Sequence, residues 1–98
     1  MNNSEALAKL KYLTAKNQFL LVNRRLSRAQ AVTSSLAKEI VKQLTIADFQ
    51  KYEADRDRLN ELVWIYETDY GAVYYIKFKF IKDSTMVRFI SFHVSNYS

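Results

Sequence analysis

The sequence predicts a small α+β domain, with helices in its first half packed on an antiparallel sheet formed by its second. Three observations carry this. Apolar residues recur at helical spacing early in the chain, as at Ala6, Leu10 and Leu13 and again at Leu36, Ile40 and Leu44. From residue 61 onward the pattern becomes alternation, in runs rich in Val, Ile, Tyr and Phe. Finally, 98 residues with 49% apolar content can bury one core and not two. A single domain over 1–98 is expected, with element order α-β-α-α-β-β-β.

The elements follow in order. SEALAKLKYLTAKNQ (4–18) reads as the first helix, with Ser4 as its N-cap. FLLVN (19–23) is a short strand. Arg24, Arg25 and Arg28 then make a basic cluster. TSSLAKEIVKQL (33–44) is the second helix, with Val32 before it. TIAD (45–48) has capping-box spacing, Asp standing where Glu or Gln is usual, and should start a short third helix through Phe49 and Lys51. EADRDRLN (53–60) is a charged connection, read on its charge pattern as a self-neutralising polar loop. ELVWIYET (61–68), AVYYIKFKFIK (72–82) and MVRFISFH (86–93) are strands, joined by hairpins at DYG and DST.

Alternation assigns faces. Tyr74, Ile76, Phe78 and Phe80 should meet the helices, and Tyr75, Lys77 and Lys79 should face away. In the last strand Ile90 and Phe92 are expected in the core, with Val87, Phe89, Ser91 and His93 on the open face. Trp64 reads as core. A three-residue loop at 83–85 pairs Lys82 with Met86, which sets Phe78 opposite Ile90, Lys77 opposite Ser91 and Tyr75 opposite His93; a two-residue loop would mix the faces.

Composition narrows the chemistry. There is no cysteine and one histidine, His93, so disulfide scaffolds and thiolate sites are excluded and a structural zinc site is not expected. No metal or cofactor is expected. The opening MNNSEALAKL has no apolar signal core and no stretch approaches a membrane span, so a soluble, cytoplasmic protein without a membrane partner is expected. The net charge is +5. Residues 1–52 hold nine Lys/Arg against three acids, whereas 53–98 hold six against seven. An excess of cations favours nucleic acid or an acidic protein as partner.

The expected open face gathers a phenol (Tyr75), two ammonium groups (Lys77, Lys79), a hydroxyl (Ser91) and an imidazole (His93). Opposed side chains have Cβ atoms about 5 Å apart. Imidazole is the side chain that ordinarily changes charge near neutral pH. Such a set suits cleavage of RNA by its own 2′-hydroxyl. Proton transfer falls to His or Tyr, and Lys or Arg stabilises charge on the phosphoryl oxygens. DNA lacks that hydroxyl, so the chemistry itself selects RNA. The rival reading is a non-catalytic inhibitor that binds nucleic acid or protein on the same basic scaffold.

LTIADFQK (44–51), DRDRLNELVWIY (55–66), YYIKFKF (74–80) and ISFHVSNY (90–97) together resemble the MqsR family of bacterial toxins, with FLLVNRR (19–25) fitting more loosely. These are the toxin halves of type II toxin–antitoxin pairs, with a RelE-like fold. The resemblance implies an endoribonuclease that cuts mRNA and is inhibited by a cognate antitoxin. It places Lys51, Tyr75 and Lys77 at functional positions of the family. It also places His93 where a basic residue is expected, a lysine in the best-known form. Arg56, Arg58, Lys79, Arg88, Arg24 and Arg25 are the expected RNA-binding cations, although alternation puts Arg88 on the core side. The chain departs from the family pattern in three places. Ile65 stands where a glutamine is expected, no glycine precedes the second helix, and the tail reads NYS without Pro-Leu.

Overall fold

The computed structural model describes residues 1–21 and 32–95. Its elements are α1 (Asn3–Ala15), β1 (Phe19–Leu21), α2 (Ser34–Gln43), a 3₁₀ turn (Ile46–Asp48), β2 (Phe49–Ala54), β3 (Leu62–Asp69), β4 (Val73–Ile81) and β5 (Met86–Val94). The expected α+β architecture is present. The strands form one five-stranded sheet in the order β1-β5-β4-β3-β2. It is mostly antiparallel and not wholly so, because β1 runs parallel to β5. Among the described residues no helix is long and apolar enough to cross a membrane.

The N-cap of helix α1 lies two residues earlier than expected. Asn2, and not Ser4, is the N-cap: its side chain accepts from the Glu5 N–H at 2.9 Å, and Glu5 accepts from the Asn2 N–H at 3.0 Å. The helix also stops short of Gln18. Asn17 is left-handed (φ 61), and the Asn17 and Gln18 N–H groups return to Thr14 and Leu13 carbonyls at 3.0 and 2.9 Å. That is a Schellman ending, which an Asn tolerates. Thr33 caps α2 by accepting from the Leu36 N–H at 3.2 Å.

The expected third helix amounts to one 3₁₀ turn. Asp48 does accept from the Thr45 N–H at 2.8 Å, but the chain then extends, and Phe49, Lys51 and Glu53 all lie in β2. Tertiary contacts decide this. Phe49 and Tyr52 pack on Trp64 with ring centroids 6.3 and 5.4 Å apart, and β2 pairs along β3. The charged connection therefore begins at Asp55, after Glu53 and Ala54.

The core lies between the helices and one sheet face. Leu7, Leu10, Leu13, Ile40, Val41 and Leu44 meet Trp64, Tyr66, Ile76, Phe78, Phe89 and Phe92. The Tyr66 hydroxyl donates to Asn3 Oδ1, tying the start of α1 to the sheet. Burial first, and the Asp48 charge second, push its pKa up to about 12, so it stays a neutral donor.

The last hairpin differs from expectation in an instructive way. Ile81 pairs with Met86 across a four-residue loop, which shifts the expected register by one. A bulge then restores it: Phe78 pairs with Phe89, Lys77 pairs with Ser91, and Ile90 is the extra residue. Val87 and Phe89 are consequently buried in the core. Ile90 and Ser91 face away with Lys77, as does Arg88. The loop holds Lys82, Asp83 and Ser84 at φ 53, 55 and 62, a left-handed run without glycine. Left-handed backbone costs an L-residue about 1–2 kcal/mol, partly offset in glycine by its greater unfolded-state entropy. Ser84→Gly is therefore expected to stabilise the protein by about 0.5–1 kcal/mol, read as a higher urea midpoint at unchanged slope.

Candidate functional site

The open sheet face brings the sequence-predicted groups together. Tyr75 and His93 are Cα partners across β4 and β5. Their half-exposed rings stack at 5.5 Å between centroids, inclined by 28°. His93 Nδ1 lies 3.0 Å from the Val94 carbonyl. A carbonyl only accepts, so Nδ1 carries the hydrogen in this bond and Nε2 is left to exchange a proton with a ligand.

Lys77 stands two residues from Tyr75 on the same face. In the next row the register runs Lys51, Ile65, Lys77, Ser91 across four strands. Both flanking ammonium groups approach one carboxylate. Lys51 Nζ is 3.5 Å from Glu53 Oε2, and Lys77 Nζ is 3.6 Å from Glu53 Oε1. Lys79 is different. It is buried, at 8% exposure, with its Nζ 2.5 Å from Asp55 Oδ2 and 2.8 Å from Glu61 Oε1. These contacts fasten the two ends of the β2–β3 connection to the sheet.

That connection carries Arg56 and Arg58, both exposed. With Arg88, Lys77, Lys79 and Ile90 they line a cleft of about 440 Å³. Arg88 belongs here because of the bulge, and its expected core-side placement is corrected. Arg56, Arg58 and Arg88 form no ion pair among the described residues. Arg24 and Arg25 lie outside the described residues.

The family model described as "Motility quorum-sensing regulator, toxin of MqsA" matches residues 3–94. The chain belongs to the MqsR toxin family. It is thus a toxin of a toxin–antitoxin system. No curated protein matches it.

Within this MqsR-family chain, Ile65 stands 3% exposed between Lys51 and Lys77, so the side chain at the position of the expected glutamine offers no hydrogen bond. Sequence reasoning missed the carboxylates: Glu53 on the lysine pair, Asp55 and Glu61 on Lys79, and Glu67, the Cα partner of Tyr75. The acidic balance of residues 53–98 was the available signal. Reading 49–51 as helix hid the alternation that puts Lys51 and Glu53 on one face.

The Lys79 cluster has a pH signature. The hydrogen bond from Lys79, then the Asp57 N–H, holds the Asp55 carboxyl below its ordinary 3.8, and bonds to Asp55 and Glu61 hold Lys79 above its ordinary 10.5. A depressed carboxylate stabilises the fold fully above its unfolded value and loses that contribution as pH falls through the folded one; a raised lysine contributes below its unfolded value and fades as pH rises through the folded one. The stability gap between wild type and Asp55→Asn should be flat through neutral pH and shrink below pH 3.8. Urea midpoints down the acid limb check this, and a gap that persists there would place the effect in packing.

Proposed function

We propose that this toxin is an endoribonuclease. It cuts single-stranded mRNA without a metal, through attack by the 2′-hydroxyl, and a cognate antitoxin neutralises it in the cytoplasm. The observation that carries the proposal is the Tyr75–His93 stack, with Lys77 two residues along the same face and an arginine-lined cleft beside it. Tyr75 and His93 move the protons, one leaving the 2′-hydroxyl and one reaching the departing 5′-oxygen. The 2′-oxygen bonds to phosphorus as the bond to the 5′-oxygen breaks, leaving a 2′,3′-cyclic phosphate. Lys77 stabilises charge on the phosphoryl oxygens. Lys51, Arg56, Arg58 and Arg88, with Arg24 and Arg25, hold the backbone, and Lys79 acts through the connection it fastens.

The test is a single-stranded transcript incubated with antitoxin-free protein in EDTA. Cyclic phosphate ends are expected, and the all-DNA strand should stay whole. RNA that remains intact both in EDTA and with magnesium removes the proposal. The buried Ile65 favours one second reading, a non-catalytic binder, because it withdraws a polar group from the row beside Lys77. Binding that falls steeply with salt, with no cleavage, would establish that reading instead.

A further inference from the structure

We infer that Glu53 sets how tightly this site takes a phosphate, because it occupies from within the chain the place between Lys51 and Lys77 that a substrate phosphate must claim. The inference rests on the ribonuclease reading for its substrate, though not for its geometry.

Two kinds of lysine pairing stand side by side on this face. Lys79 makes short contacts, 2.5 and 2.8 Å, and its side chain is 11% exposed. That pairing is a strut. Glu53 reaches its two partners at 3.5 and 3.6 Å, and it is 43% exposed. Charge-assisted hydrogen bonds run nearer 2.7–2.9 Å, so this pairing is loose and open to exchange with an incoming anion. Exposed pairs of this kind contribute little to folding. The residue between the lysines, Ile65, is apolar and buried, so Glu53 is what answers both ammonium groups here. It does so with one oxygen on each, the way a phosphate would bridge them. An RNA phosphate can hold both amines once Glu53 has swung aside, and its affinity is lowered by that competition.

The experiment compares wild type, Glu53→Gln and Glu39→Gln. The last makes the same change in net charge at exposed Glu39 of α2, which packs on the opposite face of the sheet. Two probes are used: inorganic phosphate, followed by NMR of the lysine side-chain methylenes, and an uncleavable 2′-O-methyl RNA strand, followed by anisotropy. Glu53→Gln should bind phosphate about fivefold to tenfold more tightly, and its RNA salt slope should steepen by about 0.7 for each amine released to a phosphate. Glu53→Asp, with a shorter reach, should fall between. Glu39→Gln should stay within about twofold of wild type, because Glu39 is exposed on the helix layer and pairs with neither lysine. Equal phosphate affinity in wild type and Glu53→Gln overturns the inference, as does an equal gain in Glu39→Gln. Tighter phosphate binding with no RNA binding by any variant keeps the inference and removes the ribonuclease reading.

Discussion

Phe89→Ala should cost about 3–5 kcal/mol of folding stability, whereas Ile90→Ala, one residue on, should cost well under half of that. Phe89 is 1% exposed and packs at 5.2, 5.7 and 6.2 Å between ring centroids against Phe92, Phe19 and Phe78. Truncation there removes a whole ring and leaves a cavity, and a close-packed interior relaxes around such a hole only in part. Ile90 is half-buried on the opposite face, against the cleft. Urea titrations of the two variants measure the difference, with unchanged slopes needed for the comparison. Simple alternation from a three-residue loop predicts the reverse ranking, so the experiment decides between bulged and unbulged pairing. Equal costs would leave the β5 bulge without support.

The same bulge explains how far the sequence could be read. From Lys77 toward the open end of the hairpin, the expected pairing holds: Lys77 with Ser91 and Tyr75 with His93. Toward the tip it is displaced by one residue, and Val87, Arg88, Phe89 and Ile90 all change sides. No local feature of MVRFISFH announces this. Every residue from Phe89 to Phe92 is apolar or small, so both faces accept it, and the four-residue loop offers no glycine to mark its turn. Elements with sustained patterns were legible for the opposite reason: α2 and the alternation of β4 each allow one arrangement that buries their apolar rows. The 3₁₀ turn at Ile46–Asp48 was legible in its first half, because the Thr45–Asp48 box is local. The strand that follows is held by Trp64, at a distance in sequence that no capping rule spans. Pairs such as Lys79 with Asp55 and Glu61 are out of reach for the same reason, since they depend on how a charged connection folds back over the sheet.

Placement of the arginines ties this back to function. The bulge turns Arg88 toward the side that carries Lys77, and the Lys79 strut brings Arg56 and Arg58 to the same cleft. A cleft whose guanidinium groups are unpaired among the described residues, next to amines held loosely by one carboxylate, concentrates attraction for polyanions in the row of Lys77 and Ser91, adjoining the stacked rings. The net charge of +5 alone did not locate that field, because three acids of the second half, Glu53, Asp55 and Glu61, sit against the lysines of the same face.

His93→Ala should lower the rate of RNA cleavage by about 10²–10⁴-fold, the range for loss of a positioned general acid or base. Its ring is half-exposed at the sheet surface, so the fold should survive its removal, and circular dichroism and the urea midpoint should stay close to wild type. Tyr75→Phe is the sharper companion. It keeps the ring that stacks on His93 at 5.5 Å and removes only the hydroxyl, which separates proton transfer from ring packing. A comparable fall in single-turnover rate, at unchanged affinity for an uncleavable strand, assigns the phenol to the chemical step. His93→Lys supplies the third comparison, since the MqsR resemblance implies a basic residue at this position. An amine ordinarily titrates about four units above an imidazole, so this variant should keep more activity than alanine and move the pH–rate profile to higher pH. Losses below about threefold in both His93→Ala and Tyr75→Phe would reduce the stacked rings to a packing feature, because a general acid or base is worth far more than that. The chemistry would then have to be sought at Lys51 and Lys77, on either side of Ile65.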